Sequence, residues 1–330
     1  MPSADVLLVT LGGTAGLREA DAELAASLRR AGATVVLAAA ARPREWRTFA
    51  LIELAWARNA RAAAQAALTQ HSPRAVLYSS TTAALLGPVP GAIRFDAPAA
   101  GNRPGRHGVW QRPVERRRFA ASPLLVPWSE GGLAEAPRQH ADALVVPVPV
   151  EPSGPPLPWE QRDIAAITYG ANPHKKGLDR VLAAFSVVRR LDEELLVAGL
   201  DPPTARAIPE GLRFTGMLPR EEYRALLRRA RVFVAAPRRE DYGIAQLEAL
   251  ADGCVLVTTP TPGPYAALPL ARALDPRTVS TDLGAALRCA LDHPAPGYAE
   301  RATDTLGPWR RIEIDRVVRE QLLPRLASSE

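Results

Sequence analysis

At 330 residues, 47% of them hydrophobic and 23% charged, the chain is sized for two soluble globular domains rather than for a single core or a disordered segment. Lys and Arg number 41 against 35 Asp and Glu, and the formal charge of +6 suits anionic ligands; with aromatics at only 5% and no reader motif, nucleic acid is excluded as the partner. Cys254 and Cys289 make neither a disulfide framework nor a zinc spacing, the N-terminus lacks a signal-peptide pattern, and no apolar run reaches the ~18 residues of a membrane span. The expected setting is therefore cytoplasmic, free or peripheral at the inner face of the membrane.

Short β-branched runs alternate with Ala/Leu/Arg-rich stretches throughout, the pattern of parallel sheets covered by helices. In the first half, strands are predicted over 6–10, 34–38, 75–79, 92–95, 124–127 and 144–148, with helices over 17–31, 48–70, 111–121 and 132–140. Six prolines between Pro147 and Pro158 cannot continue a helix or a central strand, which predicts an interdomain linker. Beyond it come strands over 164–169, 195–199, 212–215, 232–235 and 255–258, and helices over 178–190, 220–229, 243–251 and 310–326. The expected organisation is a Rossmann-like domain over 1–150, a linker over 151–160, a second such domain over 161–308, and a helix over 309–330 packing back towards the first. The two parallel sheets of this α/β chain are expected to face each other across a cleft, where ligands of doubly wound folds usually sit.

Glu240 and Glu248, with seven residues between them, stand in a segment that leaves the strand over 232–235, passes Asp241 and Tyr242, and enters a helix near Gly243. Free backbone N–H groups at Gly243 and Ile244 would face an anion there, favoured also by the helix dipole. The two carboxylates could then accept from sugar hydroxyls on either side of a diphosphate. As an isolated pair they would read more readily as solvated carboxylates, Glu240 favouring the helix start, because the spacing alone is common. They are not isolated. The strand over 164–169 ends in Gly170-Ala171-Asn172-Pro173-His174-Lys175-Lys176-Gly177, a loop at the same sheet edge, and Lys175 and Lys176 are the only lysines in a chain that otherwise uses arginine. A lysine from this loop could cross to the diphosphate and neutralise a departing phosphate.

These segments, with Lys176-Gly177-Leu178-Asp179 and Phe214-Thr215-Gly216-Met217-Leu218-Pro219, resemble the donor domain of retaining GT-B glycosyltransferases of glycosyltransferase family 4. The resemblance runs from 164 to about 259 and more loosely to the C-terminal helix. It implies metal-independent transfer of a hexosyl group from a nucleotide diphosphate sugar, with UDP- or GDP-sugars the expected donors and no cofactor. By that resemblance Glu240 would bind the donor sugar, Glu248 the ribose, Lys176 the diphosphate together with the Gly243 and Ile244 amides, and Met217 and Leu218 the nucleobase. Asn172, Lys175 and Tyr242 are grouped with the donor-binding residues, and Lys176, Glu240 and Asp96 are the expected catalytic residues. Two departures stand out. Ala171 occupies the place of a second phosphate-binding arginine, for which Lys175 or Arg238 could compensate, and Pro262-Gly263-Pro264-Tyr265 replaces a usual glycine-glycine loop ending in glutamate. The rival readings are a nucleotide-sugar epimerase or hydrolase of the same fold and a nucleotide-sugar-binding protein without turnover.

In the first half Gly12 and Gly13 follow the first strand, resembling the family's acceptor-side glycine loop, or forming a plain turn. Asp96 follows the strand over 92–95 and reads either as a sugar contact or as a turn cap. Arg103, Arg106, Arg112, Arg116, Arg117 and Arg118 are either a solvated helix face or a contact for an anionic or lipid-linked acceptor or a membrane surface. His107 and His174 lack any metal-ligand spacing, and the chain contains no Asp-x-Asp pair, so no metal is expected.

Overall fold

β1 (Ser3–Thr10) shows why the strands read as nearly continuous apolar runs. Val6 and Leu8 enter one core cluster while Leu7 and Val9 enter another, so both faces of the strand are buried. The computed structural model describes residues 3–44, 48–138, 142–203 and 208–328. Two units emerge, Met1–Pro149 with Arg311–Glu330, and Val150–Arg310.

After β1 the first unit runs through α1 (Ala15–Arg30), β2 (Val35–Ala39), α2 (Phe49–Gln70), β3 (Ser72–Tyr78), α3 (Thr81–Leu85), β4 (Ala92–Phe95), α4 (Ala99–Asn102), α5 (Gln111–Ala121), β5 (Leu125–Pro127) and α6 (Glu130–Glu135). The sheet is parallel, in the order β2-β1-β3-β4-β5. The predicted strand over 144–148 does not join it as a sixth member. Leu144 and Val146 each donate one bond to β5, but Pro147 and Pro149 have no N–H with which to extend a ladder. The helix predicted over 132–140 stops at Glu135, just before Pro137, and its predicted end at 139–140 lies outside the described residues.

The second unit contains β6 (Ile164–Tyr169), α7 (Pro173–Lys176), α8 (Leu178–Val188), β7 (Leu195–Ala198), β8 (Leu212–Gly216), α9 (Arg220–Arg229), β9 (Ala230–Ala235), α10 (Ile244–Ala251), β10 (Val255–Thr258), α11 (Ala267–Leu274), α12 (Leu283–Asp292) and α13 (Tyr298–Thr305). Its parallel sheet has the order β10-β9-β6-β7-β8. The order reverses between β9 and β6, and the loops leaving these two strands meet at the sheet's carboxyl edge.

The expected linker is not a free tether. Val150 N–H donates to Trp309 O, and Ser153 donates through N–H and hydroxyl to Asp252, which places the Pro-rich stretch inside the second unit. The last helical run, α14 (Arg311–Val317) and α15 (Leu323–Ala327) with a wider turn over 318–322, belongs to the first unit. Ile314, Val318, Leu322 and Leu326 fill the core beside α1, and Asp315 accepts from Ser27 and Arg30. Among the described residues no helix is long and apolar enough to cross a membrane.

Candidate functional site

Two loops of the second unit carry the site, one after β6 and one after β9. The β6 loop turns sharply at Asn172, whose left-handed backbone (φ 58°) lets its side chain accept from Lys175 N–H and start the single turn of α7. Gly177 ends that turn, also left-handed, and a Cβ there would overlap the carbonyl oxygen of Ala236. Only glycine lets the lysine turn lie against the β9 loop. Arg238 then fastens the two loops: its N–H donates to Lys175 O, its guanidinium to His174 O, and two further bonds reach Asp179. The Arg238 guanidinium holds the Asp179 carboxyl at about 2.

The loops meet through their charged side chains. Lys176 Nζ lies 2.7 Å from Glu240 Oε2, and Gln246 Nε2 donates to the same oxygen at 3.0 Å. Lys175 Nζ lies 2.7 Å from Asp241 Oδ2, with Arg239 3.0 Å from the other oxygen. Burial pushes the Asp241 carboxyl up, but Lys175 and Arg239 together hold it below the usual carboxylate range. Glu240 and Asp241 are each only 4% exposed, so these are buried carboxylates with near cations rather than solvated ones.

α10 begins next to this cluster. Gly243 caps it with a left-handed backbone (φ 90°), no side chain caps the helix, and a Cβ on Gly243 would press on the ring of Tyr265. An uncapped helix start leaves N–H groups available to an anion. Glu248 lies on the helix one turn in, 6% exposed, accepting from Arg220 Nη2 at 2.7 Å with Arg224 at 3.6 Å. Burial drives its carboxyl above the ordinary range in spite of the two guanidiniums. Met217 is 68% exposed in the turn between β8 and α9, beside half-buried Leu218 and directly before Arg220.

Residues 164–289 match the family model for glycosyl transferases group 1. The matched stretch lies within the second unit, which is similar in sequence to group 1 glycosyltransferases. Solved structures share the fold over essentially the whole chain. WaaG, a glycosyltransferase involved in lipopolysaccharide biosynthesis, superimposes with a TM-score of 0.70 at 16% identity, covering 99% of this chain and all of that one. Sucrose-phosphate synthase from Thermosynechococcus elongatus gives 0.77 at 14% with both chains fully covered. An E. coli trehalose-6-phosphate protein bound with UDP-2-fluoro glucose gives 0.70 at 12%, over 97% of this chain and 99% of that one. These likenesses fix the fold as GT-B, two parallel five-stranded sheets with surrounding helices. No curated protein sequence matches the chain.

In the second unit the structure thus gathers Asn172, Lys175, Lys176, Glu240, Gly243, Ile244 and Glu248 at one sheet edge. Tyr242 differs from its expected part: its ring is buried and its hydroxyl accepts from Trp309 Nε1, so it anchors the loop from behind. Lys175 and Arg238, the residues that could compensate for the arginine missing at Ala171, pair with Asp241 and Asp179, as Lys176 pairs with Glu240. The loop that replaces the glycine-glycine turn is a support. Pro262 O accepts from Glu240 N–H, and the Tyr265 hydroxyl pairs with Thr258 beneath Gly243. A hollow of about 560 Å³ opens beside these loops, between α8 and the start of α12, and it contains neither Lys176 nor Glu240. The space at Lys176 itself is about 10 Å³, room for one water.

The remaining sequence candidates lie in the first unit. Gly12 has a left-handed backbone and its carbonyl accepts from Arg18, while Gly13 faces the ring of Trp56. Asp96 Oδ1 accepts from Ala97 N–H at 2.8 Å. Sequence reasoning missed Gln246, Arg220 and Arg224. Gln246 had a readable signal, lying between Glu240 and Glu248 in the same segment; the arginines gave none, because their partners lie 28 residues away.

Proposed function

We propose that the protein is a retaining glycosyltransferase that transfers a sugar from a nucleotide diphosphate donor to an acceptor hydroxyl without a metal ion. One observation carries the reading: Lys176 meets Glu240 at 2.7 Å, three residues before the uncapped start of α10. A cation, free helix-start amides and a carboxylate at one point suit a diphosphate with a polyol attached. As the glycosidic bond breaks, negative charge builds on the departing phosphate, and Lys176 and the Gly243 and Ile244 amides stabilise it there more than in the ground state. Glu240 accepts from the sugar hydroxyls and Glu248 from the ribose; Met217 and Leu218 border the base. Retention at the anomeric carbon follows the family resemblance, and a UDP-sugar donor accords with the ligand named for the E. coli structure.

On the acceptor side, Arg106, Arg116 and Arg117 are exposed and make no ion pair among the described residues, while the one acidic residue of their stretch, Glu115, is turned inward and buried. Such a surface suits an anionic or lipid-linked acceptor and peripheral contact with the cytoplasmic face of a membrane.

A thermal-shift screen of UDP-, GDP- and ADP-sugars tests the donor site. A matching donor at 100 times its dissociation constant adds about 2.7 kcal/mol to the stability of the unit that binds it. A flat response to the whole panel would overturn the reading.

A further inference from the structure

Each carboxylate beside the diphosphate site is paired, but they differ in what remains if the cation leaves. Asp241 would keep Arg239 when Lys175 moves. Asp179 has a side chain 61% exposed, so water would replace Arg238. Glu248 has both Arg220 and Arg224. Among the described residues Glu240 has no second cation, and little solvent reaches it: its side chain is 6% exposed, and Lys176 and Gln246 share one of its two oxygens, Oε2.

A phosphate that draws Lys176 to itself therefore strips a buried carboxylate of its only cation, which is strongly disfavoured. The penalty is relieved only if the arriving molecule brings hydrogen-bond donors of its own. An ionised diphosphate has acceptors alone; a diphosphate joined to a sugar brings hydroxyls.

We propose that Glu240 is a specificity-determining residue that exchanges Lys176 for sugar hydroxyls, admitting a diphosphate that carries a polyol and rejecting one that does not. The inference rests on the nucleotide-sugar reading of this site. By the same linkage, loss of the sugar returns Lys176 to Glu240 and loosens the remaining nucleoside diphosphate, so the pair promotes product release.

The test is calorimetric titration of the full chain with inorganic pyrophosphate, and with UDP, GDP and ADP beside their sugar esters. Glu240→Gln is expected to bind pyrophosphate about tenfold more tightly than the parent and to lose the parent's preference for sugar esters over bare diphosphates. Asp179→Asn removes the same charge from the same pair of loops and is expected to change pyrophosphate affinity less than about twofold. Should Glu240→Gln fail to fold, Glu240→Ala also removes the carboxylate and carries the same expectation for pyrophosphate. Equal tightening in Asp179→Asn would reduce the effect to net charge and overturn the proposal. So would an unchanged pyrophosphate affinity in both Glu240 variants, or a parent that binds a diphosphate as tightly as its sugar ester. If no sugar ester binds the parent while Glu240→Gln still tightens pyrophosphate, the nucleotide-sugar reading fails and the counter-ion exchange stands for another diphosphate ester.

Discussion

The two units bury carboxylates in opposite ways. In the first, Asp21 has the Arg94 guanidinium 3.6 Å away, and burial still pushes its carboxyl up to about 6. Glu115 accepts from Ala99 N–H and Thr81, with Asp96 nearby adding repulsion, and burial pushes it up to about 7. In the second, Asp252 and Asp241 are as deeply buried, yet each has a cation at 2.6 or 2.7 Å. Two close cations hold Asp241 down against burial, whereas one guanidinium at 3.6 Å leaves Asp21 raised, and Glu248, with a single guanidinium in direct contact, is raised as well. The first unit thus holds Asp21 and Glu115 near neutrality, whereas the second sets a cation directly against Asp241, Asp252 and Glu248.

Breaking a matched pair should have the largest effect. Arg224 Nε donates to Asp252 Oδ2 and its Nη2 to Glu151 O, inside the second unit. Arg224→Met leaves Asp252, 1% exposed, without its cation and is expected to cost about 3–5 kcal/mol in the chemical denaturation of that unit. On the same helix Arg229 pairs with Asp163 in solvent, and Arg229→Met should cost less than about 1 kcal/mol. Similar losses for the two variants would erase the distinction between buried and exposed pairs.

The next largest effect should come from a stored acid. The folded value for Glu115, about 7, exceeds the ordinary 4.5, so folding favours its protonated form. The stability it adds is complete below about pH 4.5 and is lost as pH rises through 7, a loss approaching about 3 kcal/mol. Glu115→Gln keeps an acceptor for Ala99 and removes the charge. Melting curves should show the variant more stable by about 1–3 kcal/mol at pH 8 and nearly unchanged at pH 4. Asp21 stays in place and leaves a residual decline between pH 4 and 6. A variant that melts lower than the parent at pH 8 would show Glu115 to be ionised and satisfied there.

The sequence made these local elements legible and hid the pairings. β6, α9 and β10 appear with their predicted limits, because each is a short apolar or amphipathic run closed by turn residues. The convergence of Lys176 and Glu240 was readable from two rare lysines and one acidic spacing, since a parallel sheet brings both loops to one edge. What could not be read was the partner of each charge. Nothing in the primary structure says that Arg224 would choose Asp252, that Gln246 would share an oxygen with Lys176, or that Tyr242 would be claimed by Trp309. Helices α11, α12 and α13 were missed in proline- and threonine-interrupted sequence, where packing against the sheet outweighs weak periodicity.

The smallest expected effect lies outside both cores and concerns arginines that, unlike those of the second unit's loops, have no carboxylate. Arg106, Arg116 and Arg117 are exposed in the same stretch as Val109, itself 64% exposed, and the one acidic residue of that stretch, Glu115, is buried. Such a face should bind vesicles containing phosphatidylglycerol and ignore those of phosphatidylcholine alone. Each arginine near an anionic surface contributes about 1 kcal/mol, so Arg116→Ala and Arg117→Ala should each weaken sedimentation with the anionic vesicles by about fivefold. Raising the salt should weaken the parent in the same direction, because the attraction is screened within about 10 Å at 0.1 M. Val109→Asp adds a carboxylate to the face and should act as a third reversal without touching an arginine. Equal binding to both vesicle types, or arginine variants indistinguishable from the parent, would return this surface to an ordinary solvated face.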